Sequence, residues 1–257
     1  ICVLLTLDVV SIIAIQLYTV PVVMRTLGVD NYGLYGVVAG AVTMFSFAGS
    51  TLATGTQRYI AFALGKNDMS ELKKTFDANV TVYGLVCIVT FILLETIGVW
   101  FVNNKMVIPE GRMWVANWVF QLSILNLIVS FMSTPYNAAI IAHEKMNVFA
   151  YVSIFECVMK LVVVYVLLIS PIDNLLMYAI LQSFVVILIR AIYRFYCAKH
   201  FPECRGYKFE WDKPRIKDLF QYAMYNVIGT LSGIMSSSGI NIVQNLFFGT
   251  LVNAAHG

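Results

Sequence analysis

Lys160 and Glu156 stand four residues apart inside an otherwise apolar run, NVFAYVSIFECVMKLVVVYVLLI, 15 residues beyond Lys145. At 1.5 Å of rise per helical residue, Lys160 is about 22 Å from that polar loop. A charge at such depth in lipid is costly, so it faces a polar cavity or a partner. Glu before Lys at this spacing is the favourable order for a pair on one helix. The pair serves either as a proton- or substrate-responsive element lining a cavity or as a self-neutralising structural pair. Arg58 lies eight residues before Lys66, about 12 Å from the nearest polar end, where snorkelling to the interface also explains it. Arg25 directly follows the first apolar run. Arg190 closes the sixth and reads as an interfacial anchor. Asp8 lies within the first run, and Glu95, eight residues before Asn103, sits near an interface, where it either has a role or simply faces water. Pro135 in STPYNAA predicts a local break or kink. Beside it, Ser133, Thr134 and Asn137 either turn toward a cavity or cap the carbonyls that the break frees.

No enzyme constellation accompanies these charges. There is no nucleophile beside a base, no phosphate-cradling glycine loop and no HExxH. The acidic residues within apolar runs sit on different runs, without the spacing of paired carboxylates. The five cysteines show no CxxC spacing and three lie in apolar stretches, which argues against a disulfide framework or a zinc site. The histidines occur singly, and nothing calls for a cofactor. A net charge of +3 without a basic patch interleaved with aromatics excludes nucleic acid as a partner.

The elements that must position these residues are long and apolar. The chain is 60% hydrophobic and 12% charged, against roughly 25% charged in a soluble domain. Seven stretches, 1–24, 35–64, 78–102, 114–142, 147–170, 174–197 and 218–250, are each long enough to cross a bilayer, which takes about 20 apolar residues. Such continuous runs predict helices rather than barrel strands. Twelve of the 17 Lys and Arg residues flank the ends of spans two, four and six, against only Arg25, Lys105 and Arg112 after spans one, three and five. By the positive-inside rule the first group is cytoplasmic, and the first span enters from that side. The segment 65–77 suits either an amphipathic interfacial helix, with Met69, Leu72 and Phe76 on one side, or a solvated loop. Gly36 with Gly40, Gly229 with Gly233, and the small residues of span two including Gly49 mark faces for close helix approach. Residues 199–217, carrying Pro202, Gly206 and Pro214 among charges, read as a cytoplasmic linker. Six spans precede it and one follows. The pairs Gly28/Gly36 and Gly249/Gly257 share an eight-residue spacing, as an internal repeat of two bundles would produce. The chain then reads as 1–198, a six-helix lobe with its first helix clipped at the start. After it come the 199–217 linker and, at 218–257, the first helix of a second lobe.

The stretches VPVVMRTLGVDNYGLYGVV (20–38), ATGTQRYIAFALGKND (53–68), STPYNAAIIAHEKMNVFAY (133–151) and NLFFGTLVNAAHG (245–257) resemble the polysaccharide flippases. These belong to the multidrug/oligosaccharidyl-lipid/polysaccharide superfamily, and the likeness is to its Bacteroidota-type lipopolysaccharide biosynthesis proteins. The resemblance implies an all-α, two-lobe transporter fold around a central cavity. It implies alternating access carrying an undecaprenyl-diphosphate-linked oligosaccharide across the bacterial inner membrane, with a glycan polymerase among the protein's partners. Arg25, Arg58, Lys160 and Asn137 are then candidates to hold diphosphate or sugar, since the arginine fork matches phosphate oxygens. The superfamily also contains cation-coupled drug exporters, and in that reading Asp8 or Glu156 would carry the coupling ion.

Overall fold

In the computed structural model, residues 19, 21–43, 45–104, 108, 111–169, 173–209, 217–218, 220–221 and 225 are described. Their regular structure is helical, with no strand among them. Helix α1 spans Val29–Thr43, α2 Ser46–Gly65, α3 Met69–Asn104, α4 Met113–Ala142, α5 Asn147–Ile169 and α6 Asn174–His200. Four of these, α3 to α6, are long and apolar enough to cross a membrane. The first predicted span lies mostly outside the described residues, Asp8 included, and so does nearly all of the last.

Local chemistry accounts for the helix ends. Asp68 accepts hydrogen bonds from the backbone N–H groups of Ser70 and Glu71 at 2.9 and 3.2 Å, satisfying donors that a helix start leaves open. Asp173 does the same for Leu175 at 3.0 Å at the head of α6. Gly28 has φ +81°, the left-handed conformation that glycine adopts without strain, and it separates the helical segment 21–27 from α1.

Three expectations from the sequence are corrected here. Span 35–64 is not one helix: α1 ends at Thr43, a turn closes with Phe45 N–H donating to Val42 O at 3.0 Å, and α2 begins at Ser46. Segment 65–77 is neither a loop nor a separate interfacial helix, because α3 starts at Met69 and runs on into the third span. Pro135 does not break α4, which continues from Met113 to Ala142. The hydroxyls of Ser133 and Thr134 bond to carbonyls one turn back, Ser133 to Val129 and Ser130 at 2.9 and 2.8 Å and Thr134 to Ser130 at 3.2 Å. These two hydroxyls therefore bond to the backbone of their own helix.

Helix α4 is the hub. It packs against α1, α2, α3 and, most extensively, α6, while α5 lies against α6. One apolar cluster joins Val102, Val115, Phe120, Phe131 and Leu175. A second, at the lysine-rich end, joins Ile60, Leu72, Phe76, Tyr136, Ile140 and Phe201. Close approach occurs at Gly49 against Phe131 and at Gly98 against Phe120, whereas a side chain at Gly36 or Gly40 would meet nothing within 4 Å among the described residues. The small-residue reading is met at Gly49, and no described neighbour tests it at Gly36.

The start of the predicted linker belongs to the bundle. Phe201, Glu203 and Cys204 are buried. Lys73 Nζ donates to the carbonyls of Arg205 and Gly206 at 3.0 and 2.8 Å. Arg205 donates to the carbonyls of Ala198 and Lys199 at 2.9 and 2.8 Å, satisfying acceptors that the end of α6 leaves open. Tyr207 Oη and Thr81 Oγ1 lie 2.9 Å apart. Hydrogen bonding with Cys197, followed by burial, pushes the Cys204 thiol up from its ordinary pKa, so it stays protonated.

Candidate functional site

Polar residues on α4 recur at 126, 130, 133 and 137, a spacing that places them along one side of a helix. Two of them reach across to α6. Asn126 Nδ2 donates to Ser183 Oγ at 3.1 Å, and Arg190 Nη2 donates to Ser130 Oγ at 3.3 Å. Three polar atoms on these two helices, Asn126 Oδ1, Asn137 Oδ1 and Arg190 Nε, are buried without a hydrogen-bond partner. Buried polar atoms are normally satisfied, and each exception asks for a reason. An apolar seam of the same shape would avoid that cost.

On α5, Lys160 Nζ and Glu156 Oε1 are 2.7 Å apart, with side chains 32% and 38% exposed. The predicted pair therefore forms. Its exposure inside a spanning helix means that it meets either a polar cavity or an element beyond the described residues. Glu156 also lies close enough to act electrostatically on Arg190. The structure thus links two cations through one carboxylate across α5 and α6, and of the three Arg190 is the one bonded to the α4 stripe. Their formal sum is one positive charge. If the pair is purely structural, Lys160→Met alone should destabilise the full-length protein by about 2 kcal/mol, the scale of a hydrogen bond to a charged group. The Glu156→Gln/Lys160→Met double variant should recover most of that loss, read as the thermal midpoint in detergent.

The other candidates are dispersed. Arg58 points from the exposed side of α2, opposite buried Thr56 and Ile60, and Arg25 is exposed in segment 21–27. Glu95 does not simply face water. It sits in a π-helical turn, Leu94–Gly98, half-buried, and accepts a hydrogen bond from Gln121 Nε2 at 3.2 Å. Arg190 is more than an interfacial anchor, because it is half-buried and bonded across to α4. Sequence reading passed over it for its place near a span end. The four-residue polar stripe on α4 is the signal that would have exposed its partner.

Trp100, Trp114 and Trp118 are exposed at the opposite end from the lysines, as an aromatic belt requires. Arg112 and Asp173 pair there at 2.8 Å.

A search of curated proteins and one of solved structures returned no match. A family model described as polysaccharide biosynthesis protein matches residues 2–255. With four helices long and apolar enough to cross a membrane and that match over nearly its whole length, the chain belongs to the polysaccharide biosynthesis protein family.

Proposed function

We propose that this chain forms the first lobe of a flippase that moves a lipid-linked oligosaccharide across the bacterial inner membrane. The substrate carrier is an undecaprenyl diphosphate, and the product feeds lipopolysaccharide or capsule assembly alongside a glycan polymerase. The observation that carries this reading is the cationic excess of Lys160 and Arg190 over Glu156. Two cations set in spanning helices suit an anionic cargo better than a cationic drug. Arginine offers diphosphate a bidentate partner, and Asn126, Ser130 and Asn137 offer hydroxyl-rich sugars hydrogen bonds. Arg25 and Arg58 complete the proposed anion path from other helices. In this reading a second lobe supplies the opposite wall of the cavity, and the two lobes rock about a site between them. Charge asymmetry of the loops puts the lysine-rich ends in the cytoplasm.

The test is complementation of a flippase-deficient strain by the full-length protein, with drug susceptibility scored in parallel. Surface glycan should be restored, and Arg58→Ala, Arg25→Ala and Arg190→Gln should each lower it severalfold at unchanged membrane levels. Normal export by all three variants would sink these assignments. Drug resistance without glycan export, abolished by Glu156→Gln or Asp8→Asn, would establish a cation-coupled exporter instead.

A further inference from the structure

A pocket of about 180 Å³ opens between the end of α2, the first turns of α3 and residue 218. That is far more than the ~15 Å³ that one water needs. Its walls are mainly apolar, from Tyr59, Phe62 and two alanines, and its charged groups are Lys66, Glu71 and Asp218. Lys66 Nζ lies 4.7 Å from the centroid of the Phe62 ring, a cation–π distance. Phe62 is 64% exposed. Helix α3 is 36 residues long, about 54 Å, against a hydrocarbon core of about 30 Å. Its polar first turns, Glu71 among them, therefore stand in the headgroup layer. The pocket sits where a lipid's polar end and its apolar stem would both find matching surface.

Charge selects the lipid. This end carries Lys73 and Lys74 on α3 and Arg205 and Lys208 after α6, and taken alone they would draw anionic lipids. The described charges lining the pocket sum to −1, with one ammonium and two carboxylates. An anionic headgroup would meet two carboxylates for one lysine, and a simple cation would leave Lys66 unused. A zwitterion uses every group: phosphoryl oxygens on Lys66, and an ammonium held between Glu71 and Asp218. We infer that the pocket is a binding site for a zwitterionic aminophospholipid of the surrounding membrane, with a phosphoethanolamine headgroup. Because Asp218 follows the linker, an occupied site also ties the start of the next helix to α2 and α3.

The test is native mass spectrometry of the purified full-length protein with equimolar phosphatidylethanolamine and phosphatidylglycerol. Phosphatidylethanolamine should be retained severalfold over phosphatidylglycerol, and Lys66→Gln or Asp218→Asn should remove that preference without shifting the thermal midpoint. Asp218→Lys should invert it. Equal retention of the two lipids by the native protein, or a preference that survives all three substitutions, overturns the proposal. Soluble phosphoethanolamine binding as tightly as the lipid would overturn the assignment to a membrane source. Glycan export need not be measured, so the outcome is independent of the flippase reading.

Discussion

Replacing Gly49 with valine should largely abolish accumulation of the folded protein in the membrane, and removing the Phe131 ring should restore much of it. A Cβ built on Gly49 would overlap Phe131 Cε1 and Cδ1, well inside van der Waals contact. Phe131 cannot easily yield, because it is 3% exposed and part of the core that joins α2, α3 and α4. The backbone of Gly49 is held too, since its carbonyl accepts a bond from Tyr83 Oη at 3.4 Å. Overpacking a close-packed core typically costs about 1–3 kcal/mol and occasionally more, and valine adds three carbons where even the first overlaps the ring. In a protein whose whole margin is ~5–15 kcal/mol, a loss at or above the top of that range removes a large part of it. Gly36→Ala is the control: nothing among the described residues lies within 4 Å of a side chain there, so it should not destabilise the protein, and the better helix propensity of alanine should add about 0.5–1 kcal/mol. The measurement is the monodisperse fraction of full-length protein by detergent chromatography. Native behaviour of Gly49→Val, or failure of Gly49→Val/Phe131→Ala to improve on it, would contradict this packing.

That contrast between glycines marks how far the sequence could be read. Helix class and the four long spans follow from apolar length alone, a property each residue carries independently of its neighbours. Small residues at helical spacing say only that close approach is permitted, and whether a partner fills the gap depends on tertiary placement. Gly49 meets a ring and, among the described residues, Gly36 does not, although both sit in equally suggestive runs. The same limit applied to charge. Glu156 and Lys160 were legible because both partners lie on one helix, four residues apart. Arg190 and Ser130 are 60 residues apart, and no local pattern connects them. Breaks were also hard to see: the interruption after Thr43 falls in an apolar stretch with no proline, while Pro135 is carried within a continuous helix. Tertiary packing outweighs local propensity in both cases.

Substituting His143 alone should lower the thermal midpoint of the full-length protein by on the order of ten degrees, and a matched apolar pair should recover it. His143 Nε2 and Glu203 Oε1 are 2.6 Å apart, and the Glu203 side chain is 0% exposed. The second carboxylate oxygen, Oε2, is buried with no hydrogen-bond partner. The imidazole also stacks on Phe201, with centroids 4.1 Å apart and planes 7° from parallel. This one ring therefore compensates Glu203 and fixes the chain as it leaves α6. His143→Ala strips the partner from a carboxyl group that water does not reach, and leaving such a buried group unsatisfied costs about 3 kcal/mol. For a chain of this size that corresponds to a shift of roughly ten degrees. Glu203→Gln should cost less, because an amide keeps the hydrogen bond without the buried charge. In His143→Leu/Glu203→Met both polar partners are gone, and replacing both partners of a buried hydrogen bond by apolar groups of similar shape can be nearly neutral or stabilising. The double variant should therefore melt near the wild type and well above either His143→Ala or His143→Leu. If instead the double variant loses the sum of the single losses, the two side chains act independently. The segment 201–207 is then held by Lys73, Arg205 and Tyr207 rather than by this pair.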